Sequence, residues 1–212
     1  MKVKTSLLIQ LAMFAVTLAL GAYYAGTLPD VVPTHWGVHN QVDQYGSKWV
    51  SICTGPLLLL FSIGMTLVLP KISPKNFEIQ KFDTTFAYAM VLVSALMFFI
   101  SISILRATAG SHMDIGGAVM TGLFIFFALL GNILGKVQRN FYMGVRTPWT
   151  LASQPVWDAT HRLAGRVWVG GGILGAILSL AGAPLPFSIA LMLIMSFYPV
   201  IASYFIYQRI GK

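Results

Sequence analysis

The residues best placed for chemistry in this sequence lie in a polar segment between two apolar runs, residues 135–166. His161 stands beside Arg162, and such a pair could bind a phosphate or supply a general base at a lipid headgroup. The spacing of the residues in this segment does not indicate a catalytic set of nucleophile, base and orienting group. We therefore predict no catalytic residue and no cofactor. The favoured interpretation of Arg146, Arg162 and Arg166 is anchoring among anionic headgroups or structural pairing.

A second polar segment, residues 26–49, contains side chains of the types that bind divalent metals. His35 and His39 are four residues apart, and Asp30 and Asp43 flank them. A metal site needs at least three convergent ligands, and a glycine between the histidines disfavours the helix that would align them. We predict no metal site. Hydrogen bonds from His35 and Asp43 to the loop backbone are the favoured interpretation.

Composition decides what kind of scaffold must position these segments. Of the 212 residues, 57% are hydrophobic and only 9% are charged, and the mean hydropathy is +0.76. This balance excludes an ordinary soluble domain. The net charge of +8 is spread singly between apolar runs, so no stretch is basic enough to follow a nucleic acid. Cys53 is the single cysteine, which excludes an intramolecular disulfide.

Six apolar runs approach the roughly 20 residues that a helix needs to cross a bilayer. Backbone groups in lipid must be satisfied within the segment, so these runs predict helices. The sequence therefore predicts an all-α membrane protein with six transmembrane helices. The predicted spans are Leu7–Tyr24, Val50–Leu69, Phe86–Leu105, Ile115–Leu134, Val167–Ala181 and Phe187–Tyr207.

Basic residues predict the orientation of the bundle. With the N-terminus inside, 12 of the 14 lysines and arginines fall in cytoplasmic segments, and only Lys48 and Arg106 fall outside. This distribution follows the positive-inside rule. Both termini are then cytoplasmic. Before the rather short fifth span, residues 154–165 predict an interfacial helix on the inner leaflet, with Ser153 as its N-cap.

We divide the chain into two units. Residues 1–82 form a two-helix unit with an ordered external loop at 26–49, and residues 83–212 form a four-helix unit with a cytoplasmic loop at 135–166. No predicted span carries an ionisable residue near its centre, which disfavours a coupled transporter. Four glycines are spaced for close helix contact. These are Gly131, Gly135, Gly171 and Gly175.

Both loops resemble those of the SdpI-like family, membrane immunity proteins against a sporulation-delaying toxin. The outer loop resembles the N-terminal domain of unknown function that accompanies this family. One departure is that the family usually has Asn after the His-aromatic pair and Gly three residues later, where this chain has Gly37 and Asn40. Asn tolerates a positive φ, so a turn at Asn40 survives. The matching outer residues that would face a ligand are Pro33, His35, Trp36, Asp43, Ser47 and Lys48.

The inner loop carries the longer and more specific part of the resemblance. It includes the run from Arg146 to Leu151 and the sequence Thr160-His161-Arg162. The matching motif residues are Asn140, Gly144, Arg146, Thr147, Pro148, Trp149, Trp157, Thr160, His161 and Arg162.

The resemblance implies a multi-pass protein of the bacterial cell membrane that protects the cell from an extracellular peptide toxin. It also implies a possible signalling role, in which the protein tethers a cytoplasmic transcriptional autorepressor. Membrane lipids would be further partners, and no direct contact with nucleic acid is expected. A membrane-embedded enzyme acting on lipid or peptide at the inner face is the alternative, and a transporter is a third, weaker one.

Overall fold

The computed structural model describes residues 1–211 of the chain. Over that range it contains seven α-helices, a short 3-10 helix at Ile79–Phe82 and one two-stranded sheet. The helices are α1 Val3–Thr27, α2 Lys48–Ile72, α3 Asp83–Thr108, α4 Ile115–Leu134, α5 Pro148–Ala152, α6 Gln154–Leu180 and α7 Leu185–Ile210. The strands are β1 Val31–Trp36 and β2 Val42–Ser47.

Six of these helices are long and apolar enough to cross a membrane, which confirms the predicted six-span architecture. The helix predicted before the fifth span is present, but it is continuous with that span as α6. Its 27 residues extend about 40 Å at about 1.5 Å per residue. A helix of that length includes both the predicted fifth span and the helix predicted before it. Ser153 occupies the N-cap position as expected, although its side chain makes no capping hydrogen bond.

The membrane helices pack as two groups of three. Helices α1, α2 and α3 contact one another, α6 contacts both α4 and α7, and α3 joins the groups through α4. The division of the chain at residue 82 stays a prediction, because α3 packs against helices on both sides of that boundary.

A buried network of uncharged polar side chains joins the first group, and we did not predict it. The Gln10 side chain is fully buried; its amide donates to Ser6 Oγ at 2.9 Å. Thr66 of α2 and Ser94 of α3 both donate to Gln10 Oε1, at 3.1 and 3.2 Å. Ser62 lies 2.8 Å from the Ser94 hydroxyl. The network ties three helices together by hydrogen bonds that lipid cannot replace.

Glycines let the backbones of α4 and α6 touch. A Cβ at Gly131 would lie 3.0 Å from the carbonyl oxygen of Gly165, and one at Gly172 only 2.6 Å from that of Phe124. Gly175 faces the Phe124 ring. The close contact predicted from the glycine spacing is therefore present at Gly131 and Gly175. It is absent at Gly135, where an added Cβ would meet nothing within 4 Å.

The outer loop folds as an antiparallel β-hairpin, which the sequence analysis did not predict. Val31 pairs with Ser47 at its base and Trp36 with Val42 near its tip. The register is irregular between Pro33 and Trp36, as expected for a strand that contains proline. We call residues 31–47 the external hairpin, a name that follows the orientation predicted from the sequence.

Candidate functional site

The tip of the external hairpin is fixed to the bundle by Asn40. This residue has a φ of 60°, which confirms the expected turn conformation. Its side-chain amide donates to the Met113 carbonyl at 3.1 Å, and its Oδ1 accepts from the Ile115 N–H at 3.1 Å. Both partners lie where the α3–α4 connection enters α4. Asn40 thus docks the hairpin tip on the second group of helices.

The base of the hairpin is held by Lys48, the first residue of α2. Its ammonium group donates to the carbonyls of Ala25 and Leu28 at 3.1 and 3.2 Å, and lies 3.1 Å from Asp30 Oδ1. These contacts join the end of α1 to the start of α2. Ser47 caps α2 by accepting from the Trp49 N–H at 3.4 Å. Lys48 and Ser47 therefore position the hairpin.

Of the other outer motif residues, His35 and Asp43 are open to solvent, and Pro33 and Trp36 are partly buried. His35 Nδ1 lies 2.6 Å from Asp43 Oδ1, and both side chains are exposed. The contact between His35 and Asp43 is found in place of the hydrogen bonds to the loop backbone that the sequence predicted for these two residues. The Pro33 carbonyl accepts from Thr108 of α3 at 3.4 Å, whereas Trp36 is half-buried. Val38 and Tyr45, outside the predicted set, add apolar surface and are 53% and 63% exposed.

Replacing Lys48 by methionine should loosen the hairpin base, because two carbonyls lose a charged donor. Hydrogen bonds to charged groups contribute about 1.5–3 kcal/mol. We expect a lower melting temperature in detergent and faster limited proteolysis between residues 29 and 47. Asp30→Asn is the matched control, since Asp30 is almost fully exposed and an exposed ion pair contributes at most about 1 kcal/mol. Equal stability of Lys48→Met and the wild type would contradict the anchoring role.

The inner motif residues form a second ordered structure, built on Asn140. Asn140 is fully buried, and its Oδ1 accepts from the N–H groups of Tyr142 and Met143 at 2.7 and 2.8 Å. Its amide donates to the carbonyls of Gln138 and Met143. All of its hydrogen-bonding capacity is used to close one tight turn.

His161 and Trp157 of α6 form the wall against which this turn packs. The His161 ring is stacked on the Trp157 ring, with centroids 3.9 Å apart. Val145 N–H donates to His161 Nε2 at 3.1 Å, so the ring proton is on Nδ1, which lies 2.8 Å from the Trp157 carbonyl. Gly144 has a φ of +106°, and a Cβ there would collide with the His161 ring. Trp157 Nε1 donates to the Val137 carbonyl at 2.8 Å.

The segment continues into α5 through a capping box. Thr147 and Thr150 exchange backbone and side-chain hydrogen bonds, with Pro148 in the first turn, and Thr150 Oγ1 also lies 2.9 Å from the Val145 carbonyl. Trp149 Nε1 donates to Ser203 Oγ of α7 at 2.8 Å. We call residues 137–150 together with Trp157 and His161 the inner clasp. It ties α4, α6 and α7 at one end of the bundle.

The inner clasp reaches the first group of helices as well. Tyr142 OH donates to the Ile72 carbonyl at the end of α2, at 3.0 Å. Trp157 and Val137 share one apolar cluster with Phe82 and Phe86. Tyr142 is a member of the inner clasp that the predicted set did not include, because its contact with Ile72 joins segments far apart in the sequence. Thr150 lies within the matched run from Arg146 to Leu151 but was not among the predicted motif residues, although its hydrogen bonds to Thr147 are local.

The remaining predicted residues, Arg146, Thr160 and Arg162, are not among those whose side chains hold the inner clasp together. Arg146 is exposed and donates to the Phe141 carbonyl, and Arg162 is also exposed. Thr160 is fully buried, and its hydroxyl has no hydrogen-bond partner among the described residues. Asp158, four residues before Arg162, accepts from Gln154 Nε2 at 2.8 Å and forms no ion pair with Arg162.

Two comparisons agree with this arrangement. Residues 136–203, which contain the inner clasp, match the SdpI/YfhL protein family. The resemblance to the SdpI-like family is confirmed. Residues 12–60, which contain the external hairpin, match the domain of unknown function DUF1648.

A curated relative extends the similarity to almost the whole chain. The immunity protein SdpI of Bacillus subtilis (strain 168) is 27% identical over 187 residues, covering 87% of each chain. No solved structure matches this chain. The similarity to SdpI and the six apolar helices together identify the chain as a multi-pass protein of the cell membrane.

Proposed function

We propose that this protein protects a bacterial cell against an extracellular peptide toxin, and that the external hairpin meets the toxin. The observation that carries the proposal is the similarity to a named immunity protein across 87% of the chain. The anchored hairpin supports this proposal, because a surface that is already ordered loses little conformational entropy when it binds a ligand. This assignment takes the orientation with both termini inside, which places the hairpin outside.

The exposed face of the hairpin fits a peptide that is itself partly apolar. Val38 and Tyr45 offer apolar surface next to the polar pair of His35 and Asp43. Aromatic side chains are common energetic centres in protein interfaces. Lys48 and Ser47 support the hairpin from below, and we assign them no toxin contact.

Protection is tested by expressing the full chain in a strain that the sporulation-delaying peptide kills. We expect survival that depends on expression, with the empty vector killed at the same dose. The double variant Val38→Ser/Tyr45→Ser should lose protection while keeping its melting temperature, because both side chains are exposed. Unchanged killing of cells that contain the wild-type protein in their membrane would overturn the toxin assignment.

At the inner face we propose a docking role rather than catalysis. Both ring nitrogens of His161 are engaged and the side chain is 1% exposed, which leaves no free base. A cytoplasmic repressor would instead meet the exposed residues Phe141, Arg146 and Pro148. Alanine at Arg146 should then weaken reporter control without reducing toxin protection. Equal effects on both readouts would count against a separate partner surface.

A further inference from the structure

A groove lies between α4 and α6 at the end of the bundle that carries Arg162 and Arg166. Its volume is about 550 Å³. Helix α4 contributes Asn132, and α6 contributes Arg162, Arg166 and Gly170. The groove lies at the end of the bundle that also carries Lys71, the end that is rich in basic residues.

The shape of the groove follows from glycine. Gly131 and Gly165 bring the two backbones into contact, since a Cβ on Gly165 would lie 2.8 Å from the Gly131 carbonyl oxygen. At Gly135 and Gly170 an added Cβ would meet nothing within 4 Å. The helices therefore touch at the floor, and the space above the floor is left open.

The polar groups at the rim have no partner in the part of the chain that the structure describes. Arg162 and Arg166 are four residues apart, so both project from one side of α6. Both are exposed, and within residues 1–211 neither takes part in an ion pair; the nearest carboxylate in sequence, Asp158, is held by Gln154. Arg139 and Arg146, by contrast, already donate to backbone carbonyls.

We propose that this groove binds the headgroup of an anionic phospholipid. The two guanidinium groups would donate to the phosphate oxygens, and guanidinium is well suited to that geometry. The Asn132 amide would supply a further donor from α4. A zwitterionic headgroup fits less well, because its cation would lie close to two arginines. Gly170 leaves room for the start of an acyl chain where α6 enters the hydrocarbon.

Lipid retention by the full chain tests the proposal. The protein is purified in detergent, and binding of phosphatidylglycerol and phosphatidylcholine is measured by native mass spectrometry. The double variant Arg162→Gln/Arg166→Gln should bind phosphatidylglycerol about 30-fold more weakly, which corresponds to about 1 kcal/mol per basic residue. The control Lys71→Gln/Lys75→Gln removes the same charge from the same end of the bundle and should bind as the wild type does. A preference for phosphatidylglycerol over phosphatidylcholine is expected only with both arginines present.

Three results would overturn the proposal. One is equal binding by the wild type and the arginine variant at matched melting temperatures. The second is an equal loss in the lysine control, which would indicate attraction to charge without a site. The third is displacement of the lipid by inorganic phosphate at comparable concentration, which would indicate a site for free phosphate. Asn132→Leu provides a second variant that keeps both charges and should weaken binding less than the double variant. None of these outcomes depends on toxin protection.

Discussion

Replacing Gly144 by alanine is expected to disrupt the inner clasp and lower the melting temperature of the protein in detergent. Gly144 has a φ of +106°, where a side chain is strained, and its Cβ would collide with the buried His161 ring. Strain of this kind costs about 1–3 kcal/mol. Displacing His161 would also break its hydrogen bond from Val145. We expect a total loss of about 3 kcal/mol or more.

Gly135→Ala is the matched control for this variant. Gly135 lies just before the inner clasp, has a φ of −66°, and offers open space to a new Cβ. Its substitution should leave the melting temperature unchanged or slightly higher, since alanine restricts the unfolded chain. If Gly144→Ala and Gly135→Ala both have the melting temperature of the wild type, the interpretation of the inner clasp is wrong.

The contact between α4 and α6 predicts an equally large effect. In Gly172→Ala the new Cβ would lie 2.6 Å from the Phe124 carbonyl oxygen and 2.8 Å from the Ala128 nitrogen. Both atoms belong to a helix backbone and cannot move aside individually. The helices must separate, at a cost of about 2 kcal/mol or more. Thermal unfolding in detergent measures this loss.

Gly170→Ala supplies the comparison within the same helix. An added Cβ at Gly170 meets nothing within 4 Å, and alanine is favoured over glycine in a helix by about 1 kcal/mol. This variant should be neutral or more stable, so only Gly172→Ala should lower the melting temperature. Parallel changes would mean that α4 and α6 do not pack as described.

Hydropathy was sufficient to predict the membrane helices, because each span is a long apolar run. It was insufficient for the external hairpin, whose strands are short and whose first strand contains Pro33. The hairpin depends on contacts far along the chain, such as Asn40 with Ile115. The available signal was the number of residues with high β-propensity in the two segments that flank Gly37–Asn40.

The polar network around Gln10 was missed for a different reason. Single Ser, Thr and Gln residues in apolar runs look incidental in a sequence. Ser6, Gln10 and Thr17 lie at helical spacing on one face of α1, and all three are buried. That spacing was the usable signal, but the partners of Ser6 and Gln10 on α2 and α3 only become known once the helices are packed.

The inner motif was found, but its role changed with the structure. Most of the residues that the resemblance selected hold the inner clasp together. Sequence alone could not separate these from Arg146 and Arg162, which remain exposed. The difference arises from burial, since Asn140 and His161 are almost completely shielded from solvent.

Crosslinking from the external hairpin tests most directly whether this surface meets a toxin. A photoreactive phenylalanine analogue replaces Tyr45, which is 63% exposed, in living cells that receive the peptide toxin. A matched position is Phe187, an aromatic residue near the start of α7 at the same end of the bundle, 52% exposed. We predict a toxin adduct from position 45, reduced by excess unlabelled toxin, and none from position 187. Protected cells that give no adduct at position 45, or equal adducts at both positions, would contradict the assignment.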